Sequence, residues 1–355
     1  MANQSRAPVI SLDIPSGVEC NTGAVHGPCI RADYTVTFTV PKPGHILYPG
    51  REYCGQVVPA AAGIPGEVVE QAVPALETLE PAHIKSLFRP RDSQSNKGDY
   101  GKLLCVCASA GLRCGAGLVN LALPRSIYPI AASRLLESVF TLLDREQDGS
   151  LTPETSVKLE NALQSAAACV IGCGLGTAPG TPELVEKLLL SARCPVVLDA
   201  DGLNAVSKHP EILREAAQTK PVIITPHPGE MARLMASSIQ EVQADRLESA
   251  SRFAREYGVI TVLKGAGTLI AHPDGRTRMN LTGNPGMARG GSGDILAGMV
   301  GSFAAQGMEP LEAASAAVYL HGLAGDRCAD RLSQQGMLPT DMLEELPGLF
   351  LEYAR

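Results

Sequence analysis

The run Thr282-Gly-Asn-Pro-Gly-Met-Ala-Arg-Gly-Gly-Ser-Gly-Asp294 sets five glycines ahead of an acid, and an apolar stretch, Ile295–Ala305, follows at once. That order predicts a tight loop opening into a helix, with Asp294 in the first helical turn. Glycines let successive backbone N–H groups converge on one point, and the helix N-terminus adds partial positive charge there. Such a cup suits a phosphate, and a carboxylate at its lip can take a proton from a hydroxyl attacking that phosphate. The plain alternative is a glycine-rich turn whose acid does no more than stabilise the helix dipole.

Four further groups of chemistry-bearing residues follow strand-like runs. Val196–Leu198 leads into Asp199-Ala-Asp-Gly-Leu-Asn204, with two carboxylates and an amide that could act or could cap the next helix. Val222–Ile224 leads into Thr225-Pro-His-Pro-Gly-Glu230, where two prolines stiffen the loop presenting His227 and Glu230. Gly172-Cys-Gly-Leu-Gly176 lacks the full dinucleotide-binding spacing but lets a backbone approach a ligand. Lys264-Gly-Ala-Gly-Thr268 lies between two strand runs, as a hairpin-like turn carrying a lysine. It is either a plain turn or a seat for a nucleotide phosphate or adenine face. His321 and Asp326, in an apolar C-terminal helix, are expected to be structural or to support the site from behind.

These motifs need a scaffold that brings strand ends together. Strand runs at Val9–Leu12, Tyr34–Phe38, Lys102–Cys107, Ala168–Ile171, Val196–Leu198, Val222–Ile224, Val259–Leu263 and Thr268–Ala271 alternate with helical patterns. The helices are expected at Pro182–Ser191, Glu211–Thr219, Ile239–Glu256 and Asp294–Gln306. The alternation implies an α/β fold with an open, mainly parallel sheet and helices on both faces. Ligands of such sheets lie beyond the carboxyl ends of the strands, where these motifs fall. Pro-, Glu- and Ser-rich composition marks 66–96 as a linker, with a weak helical pattern at Glu70–Leu79. The linker separates a short first unit, 1–65, from a main domain, 97–355.

Composition narrows the partners. The chain has 355 residues, 45% hydrophobic and 19% charged, enough for a sizeable core. A formal charge of −7, no tryptophan and 4% aromatics argue against a nucleic-acid partner. Met1–Arg6 is polar, and no apolar stretch is long enough for a membrane span. Ten scattered cysteines without a CxxC pair are read as reduced core residues of a cytoplasmic protein.

From Lys97 to the C-terminus the chain resembles the NAD(P)H-hydrate dehydratases of the ribokinase-like superfamily. The match is carried by Lys97-Gly-Asp-Tyr-Gly101, Gly172–Gly176, Asp199–Asn204, Pro226-His-Pro-Gly-Glu230, Lys264–Thr268, Asn284–Asp294 and His321-Gly-Leu-Ala-Gly-Asp326. The Asp199–Asn204 and Pro226–Glu230 motifs together separate this family from small-molecule kinases of the same fold. The resemblance implies a ribokinase-like fold and repair of hydrated cofactor: S-NAD(P)HX is dehydrated to NAD(P)H while ADP (or ATP) is consumed, with Mg2+ on the nucleotide. It assigns Asp294 as the catalytic base. Lys264, Gly265, Ala266, Gly267, Thr268, Gly290, Gly291, Ser292 and Gly293 are assigned to the nucleotide. Gly174, His227 and Asp294 are assigned to NAD(P)HX. Two alternatives are an ATP-dependent small-molecule kinase and a catalytically impaired nucleotide-binding remnant.

The first unit resembles the closing third of an NAD(P)H-hydrate epimerase domain, through Ile10-Ser-Leu-Asp13-Ile-Pro-Ser16-Gly17, Ala32–Phe38 and Lys42. The resemblance makes Asp13 a catalytic or ligand-contacting acid and Ser16 a vestigial potassium ligand. That domain's phosphate-binding loop has no counterpart here, so no epimerase activity is expected. Arg289 and Ser292 stand where the dehydratases carry threonine, and Arg289 is expected to add a cation beside the anion cup. About three turns of helix are short near Ser109–Arg113, so the first βα unit must be rebuilt or broken. An apolar helix pair near the C-terminus suggests a homo-oligomer.

Overall fold

The computed structural model describes residues 2–72, 76–106, 110–144, 146 and 151–354. Among these, thirteen strands fall into two sheets. The first sheet, in order β1-β2-β3, comprises β1 (Ile10–Leu12), β2 (Tyr34–Phe38) and β3 (Gln56–Ala60), all parallel. The second runs β4-β13-β12-β11-β10-β9-β8-β5-β6-β7. Its strands are β4 (Glu77–Thr78), β5 (Lys102–Val106), β6 (Leu118–Pro124), β7 (Val139–Leu143), β8 (Ala168–Ile171), β9 (Val196–Leu198), β10 (Val222–Ile224), β11 (Ile260–Leu263), β12 (Leu269–Ala271) and β13 (Thr277–Met279). Only the β11–β12 and β12–β13 pairs are antiparallel.

The parallel strands read as short apolar runs because both faces are covered. Along β5 and β8 alternate residues serve opposite cores. Leu103, Cys105 and Val170 face one, packed with the helices Ser292–Ala305, Pro310–Gly336 and Pro339–Tyr353. Leu104, Cys169 and Ile171 face the other, packed with the helices Pro153–Gln164, Thr181–Ser191 and Arg246–Tyr257. The expected fold class is therefore the observed one. The apolar residues of Pro310–Gly336 are buried within the chain itself, which accounts for that helix's composition without a partner subunit. No helix of the described residues is long and apolar enough to cross a membrane. Apart from Cys105, the described cysteines are free thiols, and most are buried.

Three expectations differ from the structure. The stretch read as linker contributes β4, which pairs with β13, and the helix Pro81–Leu87, whose Ile84 is fully buried. His83 Nε2 also stands 2.8 Å from Glu312 Oε2. A two-residue strand and one short helix are too brief to show a period, so composition alone did not reveal them. The weak helical pattern at Glu70–Leu79 is instead a helix at Gly66–Gln71 and then β4, with 73–75 outside the described residues. The expected helix Ile239–Glu256 is two, Ile239–Ala244 and Arg246–Tyr257, because Asp245 leaves helical geometry and caps the second by accepting from Glu248 N at 2.9 Å.

The first βα unit is rebuilt. β5 and β6 pair in parallel, although 11 residues separate them and Ala110–Cys114 forms only a 3-10 turn. Residues 107–109, including Cys107 and Ser109, lie outside the described residues. The turn is held to the helix Ser292–Ala305 where a full crossover helix would otherwise stand. Ser302 Oγ donates to Gly111 O at 3.3 Å and accepts from Ala116 N at 3.3 Å, and Gln306 Nε2 donates to Cys114 O at 2.8 Å.

In the first unit, one face of the sheet buries Ser11, Thr35 and Thr37, while Ile10, Leu12, Tyr34 and Phe38 are exposed. Asp13 Oδ1 accepts from Lys42 Nζ at 2.5 Å and from Thr37 Oγ1 at 3.0 Å. The Lys42 bond, opposed by some burial, holds the Asp13 carboxyl below its usual range. Ser16 is exposed.

Candidate active site

The strands β8, β9, β10, β11 and β13 deliver their loops to one edge of the large sheet. Gly172 follows β8 at φ +131°, and a Cβ there would meet Asp199 O at 1.8 Å. No side chain fits, so the Gly172–Gly176 loop lies directly against the start of the Asp199–Asn204 loop. Asp201 Oδ2 accepts from Gly176 N at 2.8 Å, and Asn204 Oδ1 accepts from Arg233 Nε at 3.0 Å. Asp199 opens the helix Ala200–Val206 without a side-chain cap bond. The acids and amide of this motif thus bind neighbouring strand-end loops to one another.

Asp199 is 1% exposed, and its Oδ1 accepts from Lys264 Nζ at 2.7 Å. The same ammonium stands 3.8 Å from Glu230 Oε2. Glu230 Oε2 accepts from His227 N at 2.8 Å. His227 Nδ1 in turn accepts from Gly229 N at 3.0 Å and Glu230 N at 3.3 Å, a reciprocal cap that aims the ring. With Nδ1 accepting, Nε2 carries the proton, 3.4 Å from Glu230 Oε1. His227 is exposed on the outer side of this cluster.

The glycine loop arrives over the same ground. Ser292–Ala305 is helical, with Asp294 exposed in its first turn. Gly293 lies against the ion pair: a Cβ would come 3.2 Å from Lys264 Nζ and 3.7 Å from Asp199 Oδ2. Cys173 Sγ lies 3.7 Å from Asp199 Oδ2, and ligand atoms of Cys173, Asp199 and Asp294 all lie within 4.8 Å of one another. Burial, with the two acids adding to it, keeps the Cys173 thiol protonated. Gly174 is exposed beside it.

Both ends of the glycine loop are pinned by the helix Pro310–Gly336. Asp326 Oδ2 accepts from Gly283 N at 2.8 Å and Oδ1 from Asn284 Nδ2 at 3.0 Å. Ser292 Oγ and His321 Nε2 stand 3.4 Å apart. His321 and Asp326 therefore hold the two ends of the glycine loop in place. Arg289 does not add its charge to the cup as expected: its guanidinium donates to Gln335 O, at the end of that helix. Gly290 and Gly291 are exposed, whereas Ser292 is buried.

The structure thus brings Gly174, His227, Lys264, Ser292, Gly293 and Asp294 to one edge, with Gly265, Ala266, Gly267 and Thr268 in the β11–β12 turn beside them. Cys173 and Arg246 were given no role from the sequence, and Asp199 only that of an acid that could act or cap a helix, yet Asp199 and Arg246 contact Lys264 and Cys173 contacts Asp199. Asp199 was legible as a strand-end acid. Nothing local in the sequence marks Arg246.

A sequence profile described as NAD(P)H-hydrate dehydratase matches residues 99–348, and one described as YjeF-related protein N-terminus matches 1–44. A bifunctional NAD(P)H-hydrate repair enzyme of Moorella thermoacetica is 39% identical over 98% of this chain and 67% of its own length. Its Escherichia coli counterpart is 36% identical over 97% and 66%. The chain thus spans about two thirds of the length of these relatives. The ADP/ATP-dependent NAD(P)H-hydrate dehydratase of Bacillus subtilis, co-crystallized with ATP/Mg2+, is 28% identical with a TM-score of 0.64, covering 78% of this chain and 98% of that one. A ribokinase-like superfamily protein of Enterococcus faecalis is 27% identical with a TM-score of 0.68, covering 80% and 98%. With the profile matched across most of the large sheet and every strand-end loop of the site, the chain belongs to the NAD(P)H-hydrate dehydratase family.

Proposed function

We propose that the chain dehydrates S-NAD(P)HX to NAD(P)H and converts ADP (or ATP) to the nucleotide one phosphate shorter plus phosphate. Water is a poor leaving group at neutral pH. Phosphorylating the C6 hydroxyl makes a good one, which the ring nitrogen's lone pair then expels. The observation that carries this reading is the position of Asp294: an exposed carboxylate in the first turn of a glycine-opened helix, beside the Lys264–Asp199 pair.

Asp294 takes the hydroxyl proton, and the amides of Gly290, Gly291, Ser292 and Gly293 stabilise charge developing on the transferred phosphoryl group. Lys264, Gly265, Ala266, Gly267 and Thr268 seat the nucleotide. Gly174 and His227 bound the side on which NAD(P)HX binds. The donor set suits magnesium carried on nucleotide phosphates rather than caged by protein: Cys173 is a protonated, soft ligand, and Asp199 is already paired with Lys264. When bound, Mg2+ would neutralise charge on the nucleotide phosphates, held through the nucleotide and water, which leaves Asp294 free to act as the base.

The first unit is proposed to add no epimerase chemistry; Lys42 Nζ and Thr37 Oγ1 both donate to the same oxygen of Asp13, Oδ1. The composition fits a cytoplasmic protein; a homo-oligomer draws no support from the C-terminal helices, whose apolar residues pack within the chain, and the domain boundary is proposed between the first sheet and β4.

The test is incubation of purified protein with NADHX, ADP and magnesium, following recovery of the reduced-nicotinamide absorbance band. Recovery lost in Asp294→Asn supports the reading. ADP binding without recovery would favour the impaired nucleotide-binding remnant instead, and phosphorylated product without dehydration the kinase.

A further inference from the structure

Arg246 stands outside every motif of the chain. The break at Asp245 (φ −144°, ψ 82°) makes it the first residue of the helix Arg246–Tyr257, and its guanidinium reaches back under the β11–β12 turn. Nη1 donates to Ala266 O at 2.5 Å, and Nη2 donates to both Leu263 O and Lys264 O at 3.2 Å. Gly265 lies against the same group: its φ is +141°, and a Cβ would come 2.9 Å from Nη2. Nε is buried without a hydrogen-bond partner. Burial lowers the guanidinium pKa to about 10, so it stays charged at neutral pH, and no acid contributes to that shift.

A turn that seats phosphate must keep its carbonyl oxygens off the phosphate, because they repel it. Two carbonyls of this turn, and that of Leu263 just before it, are gathered on one cation instead. A planar fork of donors suits three convergent oxygens, whereas an ammonium reaches fewer of them at once. We infer that Arg246 is a positioning residue for nucleotide binding, drawing the carbonyls of Leu263, Lys264 and Ala266 away from the site and holding the Lys264–Thr268 turn in its receptive shape. The inference rests on the reading of that turn as the nucleotide seat.

The experiment is calorimetric titration of Mg–ADP into the full chain and into Arg246→Met and Arg246→Lys, with steady-state repair kinetics on each. Arg246→Met is expected to weaken ADP about tenfold or more and to raise its KM in parallel. At saturating ADP, kcat and the KM for NADHX should stay within about twofold, a split that general loosening of the fold would not give. Arg246→Lys should recover only part of the affinity. Unchanged ADP affinity in Arg246→Met overturns the inference. Should that variant fail to fold by circular dichroism, Arg246→Lys carries the test, and wild-type affinity in it overturns the inference equally. A wild-type chain that binds no ADP overturns the reading of the turn, and the inference with it, before any variant is compared.

Discussion

Lys264 Nζ and Asp199 Oδ1 stand 2.7 Å apart, from the ends of two strands separated in the sheet by β10, with Gly293 lying over the pair. The lysine belongs to the turn that we assign to the nucleotide, and the acid to the loop facing Asp294. The pair thus joins the two halves of the proposed site.

Breaking it from one side should be costly. Asp199 is 1% exposed, so Lys264→Met leaves a buried carboxylate without its cation, a loss of about 3 kcal/mol. Lys264→Met/Asp199→Asn should recover most of that. Urea unfolding of both single variants and the double gives the coupling, and additive losses would mean that the pair contributes no mutual stabilisation.

Asp326 should matter to rate more than to fold. It holds Gly283 and Asn284 at the entry of the glycine loop, far along the chain from Asp294. Asp326→Ala is expected to lower kcat/KM about tenfold or more while shifting the melting temperature by only a few degrees. A variant that melts much earlier but turns over normally at low temperature would assign Asp326 to stability alone.

His321 predicts a pH dependence with a definite sign. Burial, against a weak bond to Ser292, lowers its pKa from 6.5 to about 4. Between those values the unfolded chain binds a proton that the folded chain refuses, so stability falls as pH drops from about 6.5 to 4 and rises with pH across the same window. The full effect is about 3 kcal/mol. Urea midpoints measured across that range should flatten in His321→Gln relative to wild type, and parallel profiles would show that other groups set the slope.

Gly172→Ala should not yield a native protein. The added methyl would sit 1.8 Å from the Asp199 carbonyl oxygen, at a φ of +131° that a side chain rarely adopts. Soluble expression and circular dichroism decide it, and a well-folded variant would show that the Gly172 and Asp199 loops can separate.

The apolar runs by themselves determined β8, β9 and β10 to the residue, because strands covered on both faces must be continuously apolar, and alternating aromatic and β-branched residues marked β2, which has one exposed face. Local chemistry also marked the glycine loop, the turn carrying Lys264 and the capped His227 loop, since tight backbone curvature needs glycine and proline at fixed places. Tertiary structure alone decided the rest. Whether Lys264 points to solvent or to Asp199 depends on strand order, which no local period encodes. Arg289 turned away from the anion cup because a helix C-terminus over forty residues on offered a carbonyl acceptor. Arg246 acquired its contacts because one residue, Asp245, capped a new helix where the periodicity ran straight through. The shortened first unit closed because Ser302 and Gln306, distant in sequence, bound a turn whose own residues are too few for a crossover helix. The chain's spacing fixed which groups reach the sheet edge, and long-range packing fixed which of them meet.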